Sequence, residues 1–299
     1  MHVIITGASG FVGQNLVRYL SNITSLNLVP LDLRKHSNDI SYANVIVHLA
    51  GKAHDLRKSA NPDEYYQINY ELTKDLYDKF LKSNASKFIF ISSVKAVADS
   101  LDGIMDEDII AFPHTHYGKS KLLAEEYIIQ QPLPSGKSYF ILRPCMIHGP
   151  GNKGNLNLLY KFVAKGIPYP LASFENKRSF LSIENLCFIL KELIERDDIL
   201  SGIYNVADDQ VLSTKEVVVL LSKVLNRSPQ LLHIPVKMVV GLAKIGDFLR
   251  LPLNSERLGK LTENYVVSNR KILAALGKSL PVSSDDGILE TARGFNNSI

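Results

Sequence analysis

The 299-residue chain has only two cysteines and no long apolar run. Cys145 and Cys187 sit inside separate apolar stretches with no metal-ligand spacing around them. They read as core residues in a reducing compartment, and no metal site is expected. An excess of charge is missing as well. The net charge of +4 is small for this length and gives no case for a nucleic-acid partner, although mild attraction to anionic ligands is compatible with it. No apolar run is long enough to span a bilayer, so no integral membrane segment is expected. The first apolar strand begins at residue 2, where a leader peptide would lie, so the expected location is cytoplasmic. Internal repeats and low-complexity tracts are absent too. Apolar residues at 45% and charged residues at 21% are ordinary globular usage, and the length suits one large or two modest domains.

The most informative stretch runs from His2 through Thr6 into Gly7, Gly10 and Gly13. A short apolar strand enters a glycine turn, and a helical pattern follows from about Gln14. Such a turn lets backbone N–H groups approach a pyrophosphate, and the following helix N-terminus adds a favourable dipole. The spacing is G-x-x-G-x-x-G, a departure from the general G-x-G-x-x-G fingerprint. Asp32 ends the next apolar run, nineteen residues past Gly13, where an acid binds the adenosine ribose hydroxyls. A carboxylate there repels a 2′-phosphate and favours NAD over NADP. Arg34, two residues on, weakens that preference, and Asp32 also reads as a plain turn residue.

Strand-like runs recur at 2–6, 26–31, 44–49, 87–91, 138–142 and 203–206. Helical patterns lie between most of them, at 14–20, 62–82, 118–130 and 183–196. This alternation predicts an α/β fold, a doubly wound parallel sheet with helices on both faces. After Pro150 the pattern changes to Gly-, Pro- and Asn-rich loops, and from Gln210 onward it is mainly helical. The expected division is a cofactor domain over 1–150 with a return segment near 180–206. A smaller, mainly helical substrate domain takes 151–179 and 207–299. Residues 235–249 are markedly apolar on one face, which reads as packing or, alternatively, as a membrane-surface helix.

Tyr117 and Lys121 stand at i and i+4, on one helix face. Tyr70 and Lys74 repeat the spacing, so the motif alone says little. Context separates the two pairs. Tyr117 follows a polar, turn-rich loop and comes twenty-four residues after Ser93, at the end of a strand. A free phenol has a pKa near ~10 and is a poor base at neutral pH. A neighbouring ammonium and an oxidised nicotinamide would favour the phenolate, and the Ser93 hydroxyl would bind the same substrate oxygen. The chemistry implied is hydride transfer between a secondary alcohol and the cofactor, with Tyr117 handling the proton. The bland alternative is a surface helix carrying a Tyr–Lys contact.

Several further blocks stand in order: His48–Gly51, Tyr65–Asn69, Ile91–Ser93, Leu142–Pro144, His148–Gly151 and Arg178–Ile183. With the glycine turn and Tyr117–Lys121, they resemble the extended short-chain dehydrogenase/reductases. The resemblance is to the NAD-dependent epimerase/dehydratase group, UDP-glucose and UDP-N-acetylglucosamine 4-epimerases among them, and covers the chain to about Ala207. It implies a Rossmann fold and catalytic roles for Ser93, Tyr117 and Lys121. Backbone contacts from Phe11 and Val12 would reach the pyrophosphate. Leu49, Ala50 and Gly51 would line the cofactor, Asn69 would support the active-site helices, and Pro144 would lie beside the nicotinamide. Asn155 and Leu156 would open a helix that meets the sugar nucleotide. Arg178 would pair with its diphosphate, with Arg257 a second candidate. A homodimer through sheet-flanking helices is implied as well.

Departures from the family pattern narrow the reaction. Ser93 is followed by Val94 and Lys95, where the 4,6-dehydratases carry an Asp-Glu pair. Met146 stands near the Asn of many 4-epimerases. His148 stands where a Tyr is common, and packing within its loop is favoured slightly over a substrate contact. The resemblance therefore implies a UDP-hexose or UDP-N-acetylhexosamine 4-epimerase. The alternatives are an NAD(P)H-dependent reductase of a UDP-4-keto-6-deoxy-hexosamine and a non-catalytic dinucleotide sensor.

Overall fold

A computed structural model describes residues 1–34, 39–52, 61–152, 154–249 and 254–296, apart from the side chains of Arg257, Lys260 and Asn296. Strand β1 (His2–Thr6) leads into helix α1 (Phe11–Leu20), and β2 (Asn27–Leu31) and β3 (Val45–His48) follow. A composite helix comes next: α2 (Pro62–Tyr66), a π-helical turn (Gln67–Glu71) and α3 (Leu72–Lys82). Then come β4 (Lys87–Ile91), a 3₁₀ turn (Val94–Ala96), β5 (Ile104–Met105), α4 (His116–Gln130), β6 (Ser138–Pro144) and β7 (Met146–His148). Helix α5 (Asn155–Ala164), β8 (Phe180–Ser182), α6 (Ile183–Glu195) and β9 (Gly202–Val206) complete the alternating part. The remainder is α7 (Thr214–Val224), α8 (Val236–Leu249), α9 (Ser255–Thr262), β10 (Val266–Val267), α10 (Arg270–Leu276) and α11 (Ser284–Asn296).

Six strands form one parallel sheet in the order β2-β1-β3-β4-β6-β9. Both faces are covered, which is why the central strands are continuous apolar runs. On one face Val3, Ile5, Val45 and Val47 pack with Leu16 of α1 and Leu190 of α6. On the other, Ile4, Ile46 and Phe88 pack with Tyr77 and Phe80 of α3 and Ile128 of α4. Cys145 and Cys187 are buried and unbonded to each other, Cys187 on α6 and both in the first of these cores.

A third apolar cluster is built outside the sheet. Tyr160 of α5, Leu221 of α7, Ala243 of α8 and Ala292 of α11 are completely enclosed in it. Ile272 and Leu276 of α10 return to the core beneath the sheet. The helices start where the local chemistry allows. Ser213 and Glu216 close a reciprocal capping box on α7, Ser182 caps α6 through Glu184 N–H, and Thr115 caps α4 through Gly118 N–H.

The sheet order reverses at β1. The chain passes from β1 to β2 on one side and then to β3 on the other, which opens a crevice beyond the strand ends. The structure adds four short strands to the sequence reading, β5, β7, β8 and β10, and breaks one expected helix. The pattern over 62–82 predicts an unbroken helix, and the π-helical turn interrupts it. A π turn admits one extra residue into the helical winding, a device common at functional sites. Here it carries Asn69 inward.

Candidate active site

The first wall of the crevice is the glycine turn. Gly7 has φ +68°, and a Cβ there would lie 2.7 Å from the Ala50 amide nitrogen. Only glycine lets the turn after β1 lie against the segment after β3 this closely. Gly10 caps α1 without a side-chain bond, and the first helical turn, with Phe11, Val12 and Gly13, carries no acid. Its N–H groups and the positive dipole end are thus left to meet an external anion, as a dinucleotide pyrophosphate requires. Leu49 and Ala50 lie partly buried against this turn, with Gly51 exposed beside them.

Asp32 follows β2, at the position expected for the ribose acid. Arg34 reaches back to it with a forked pair, Nε–Oδ1 2.9 Å and Nη2–Oδ2 3.1 Å. The guanidinium that the sequence offers to a phosphate is therefore turned onto the neighbouring carboxylate.

A hydrogen-bond relay that sequence reasoning missed runs beneath this wall. The Ala50 amide donates to Thr6 Oγ1 (3.1 Å), which meets His48 Nδ1 at 2.7 Å. His48 Nε2 meets Thr73 Oγ1 at 2.9 Å, and the Thr73 hydroxyl donates to the Asn69 carbonyl at 2.8 Å. Since Thr73 uses its one proton on Asn69, Nε2 must donate to it, leaving Nδ1 to accept from Thr6. Burial lowers the His48 pKa to about 3, with a smaller contribution from Lys121, so the ring is neutral. Its one signal in the sequence is His48, at the head of the His48–Gly51 block.

The second wall gathers Ser93, Tyr117 and Lys121. Ser93 follows β4, and its Oγ accepts from the Lys95 amide at 3.1 Å. Helix α4 starts hard against this turn, because a Cβ on Gly118 would lie 2.3 Å from the Lys95 carbonyl oxygen. The Asp99 carboxylate pins the same helix start, accepting from the amides of His114 and Thr115 and from Thr115 Oγ1 at 2.7–3.1 Å. The Tyr117 side chain is thereby hydrogen-bonded to Ser93 and meets Tyr65 edge-on at 6.3 Å. One turn on, Lys121 Nζ donates to the Ile91 carbonyl at 2.9 Å and lies 4.7 Å from the Phe90 ring centre. The second Tyr-x-x-x-Lys pair takes no part: Tyr70 packs against Tyr127, and Lys74 lies over that same ring.

Burial raises the Tyr117 pKa above its ordinary value. The Ser93 hydrogen bond opposes this and Tyr65 adds to it. Burial lowers Lys121 to about 8, and Glu125 opposes the shift. The protein's own groups thus keep the phenol protonated, and the further drive toward phenolate falls to a cationic nicotinamide. Behind Lys121, Glu125 takes a forked pair from Arg143 (2.6–3.1 Å) and a hydrogen bond from Ser92. This buried pair, also unforeseen, ties α4 to β6, whose last residue is the buried Pro144.

Asn69 joins the two walls. Its Oδ1 accepts from the Lys52 amide at 2.7 Å, and its Nδ2 donates to the Lys52 carbonyl and to Ser120 Oγ, both at 3.1 Å. It therefore splints the segment after β3 to α4.

The remaining sequence candidates lie farther along the chain. Asn155 and Leu156 open α5 behind Gly154, which caps it without a side-chain bond. Leu156 itself is buried in the third cluster, so its side chain packs inward. Arg178 pairs its backbone with Leu212, and its Nη2 stands 3.8 Å from Glu263 Oε1. Arg257 lies on α9, and its side chain is outside the described residues. His148 is fully buried, bonded to Thr291 Oγ1 at 2.9 Å and 3.5 Å from Asp208, which agrees with packing.

A model of the NAD dependent epimerase/dehydratase family matches residues 3–207. The chain belongs to that family. It is an enzyme of this class, and NAD is its cofactor. It is 30% identical to a UDP-glucose 4-epimerase of Vibrio cholerae, over 98% of this chain and 95% of the relative. It is 27% identical to the N-acetyl-alpha-D-glucosaminyl-diphospho-ditrans,octacis-undecaprenol 4-epimerase of Escherichia coli O157:H7, over 78% and 75% of the two chains. Among solved structures, a UDP-N-acetylglucosamine 4-epimerase from Bacillus cereus shares the fold, with a TM-score of 0.78 over 99% of both chains at 19% identity. The parallel sheet with helices on both faces is the Rossmann-type fold that these structures share.

Proposed function

We propose that this family member interconverts C4 epimers of a hexose joined to a diphosphate, UDP-hexose or UDP-N-acetylhexosamine foremost. The observation that carries the reading is the meeting of Ser93, Tyr117 and Lys121 at the strand tips, facing the glycine turn across the crevice. Bound NAD supplies the hydride acceptor and donor. Tyr117, as phenolate, takes the proton of the C4 hydroxyl as the C4–H bond breaks and its electron pair leaves C4. Ser93 holds the same oxygen, and Lys121 steadies the charge. After the 4-keto sugar turns over, Tyr117 returns the proton while C4 regains hydride on its other face. No net reductant is used.

In this reading residues 1–150 and about 180–206 hold NAD, and 151–179 with 207–299 hold the diphosphate sugar. Asn155, Leu156, Arg178 and Arg257 are its candidate contacts. Leu123 and Ile129, exposed on the outer face of α4, are where a homodimer through sheet-flanking helices would close. A second carrier for the sugar diphosphate is a polyprenol. Likeness to the E. coli O157:H7 relative favours it, and so does a row of uncovered apolar side chains on α8.

The test supplies UDP-N-acetylglucosamine and UDP-glucose deuterated at C4 to the purified protein without added cofactor. The proposal expects the galacto epimer with deuterium retained at C4. The absence of any epimer, with stoichiometric NADPH or NADH oxidation by a 4-keto-6-deoxy sugar nucleotide, would make the protein a reductase instead.

A further inference from the structure

Helix α8 has one packed face and one exposed face. Val239, Ala243 and Gly246 turn inward and are buried against the third apolar cluster. Met238, Leu242, Ile245 and Leu249 fall at i, i+4, i+7 and i+11, a single stripe at about 100° per residue. They are 59%, 53%, 53% and 57% exposed, and Phe248 beside them is 88% exposed. Among the described residues, packing accounts for one face of α8 and leaves an apolar one exposed. So many large side chains in one contiguous row mark a docking surface.

The charges say what covers it. Lys237 and Lys244, one heptad apart and both exposed, edge the stripe beside Phe248. Between Asn226 and Leu249 the chain carries three permanent cations and one acid, Asp247. That carboxylate is engaged by the Ser255 amide and hydroxyl, and the Ser255 contacts lower its pKa. A second copy of the chain would bring the same positive edge. An anionic bilayer surface brings the complementary charge, and its acyl boundary receives the apolar stripe. At 14 residues α8 is too short to span a bilayer, and among the described residues no helix is long and apolar enough to cross one.

We propose that α8 is an interfacial helix that seats the enzyme on anionic phospholipid membranes. Phe248 and the Met238–Leu249 stripe enter the headgroup boundary, and Lys237 and Lys244 remain at phosphate level. This rests on the surface of α8, not on the C4 chemistry, and stands or falls whether or not epimerisation is found.

The chain has no tryptophan, so Phe248→Trp introduces a lone fluorescent reporter. The full-length NAD-loaded variant is mixed with phosphatidylcholine vesicles containing about 30% phosphatidylglycerol. The expected result is a blue shift of the indole emission, quenched by lipids brominated in the acyl chain. Leu200→Trp, at an exposed site on β9's approach, should show neither effect. Raising salt from about 0.1 to about 0.5 M should weaken binding several-fold. Leu242→Ser with Ile245→Ser should weaken vesicle cosedimentation by about tenfold or more while leaving NAD binding intact. No emission shift with anionic vesicles would overturn the proposal. So would a shift that appears with protein concentration alone, which would show that a second copy covers the stripe.

Discussion

The Lys121 ammonium donates to the Ile91 carbonyl, 2.9 Å away, at the tip of β4. That bond places a buried cation one residue from Ser92 and two from Ser93, with Tyr117 one helical turn back. Burial lowers the Lys121 pKa to about 8 and Glu125 opposes the shift. The alkaline limb of kcat/KM should therefore fall near pH 8, as Lys121 loses its proton. Between about 8 and the ordinary value of 10.5 the unfolded chain holds one proton more than the folded one. This group's contribution to stability thus rises with pH across that window.

Glu125→Gln should move the same limb to lower pH, since Glu125 raises Lys121. It should also cost about 3–5 kcal/mol in urea unfolding, because Arg143 is left as an unpaired buried charge. A limb that stays in place would separate Glu125 from Lys121.

Gly118→Ala should act on catalysis without touching the cofactor wall. The new Cβ would meet the Lys95 carbonyl at 2.3 Å, and the start of α4 must retreat from the turn after Ser93. A displacement near ~1 Å at a reacting group costs on the order of 10²-fold in rate. The expected outcome is a kcat lowered by about that factor with NAD affinity unchanged by calorimetry.

His48 should stay neutral from pH 8 down to pH 5, because burial lowers its pKa to about 3. Nitrogen chemical shifts of the ring check this directly and also report the tautomer, with Nε2 carrying the proton. Since the unfolded chain takes up this proton near pH 6.5 and the folded chain does not, stability contributed here is lost as pH falls from 6.5 toward 3.

In the proposed reading, Asp32 and Arg34 set the nucleotide preference. Asp32→Ala removes the carboxylate that repels a 2′-phosphate and frees the guanidinium now paired with it. NADP should then gain on NAD by about tenfold or more in relative affinity, the worth of one charge-assisted fork. An unchanged ratio, measured by calorimetry with both dinucleotides, would remove Asp32 from the ribose site.

How much was legible follows from the range of each signal. The parallel sheet, the glycine turn and the Ser93–Tyr117–Lys121 set are written in local pattern and spacing, and all six strand runs became the six strands of the sheet. The π turn was not legible, because an inserted residue leaves the helical periodicity of 62–82 almost intact. Nor was the Thr6–His48–Thr73–Asn69 relay, whose members lie up to 67 positions apart. The Glu125–Arg143 pair was not legible either, because it forms only once the fold brings β6 under α4. The inward direction of the Leu156 side chain is set by the register of α5, which buries it with Tyr160 and Val163.

The most direct test of the central claim is the turnover of Tyr117→Phe in NAD-loaded protein. Loss of the proton carrier should lower kcat by about 10²–10⁴-fold while NAD remains bound. A Tyr117→Phe enzyme with kcat near the wild-type value would contradict the mechanism.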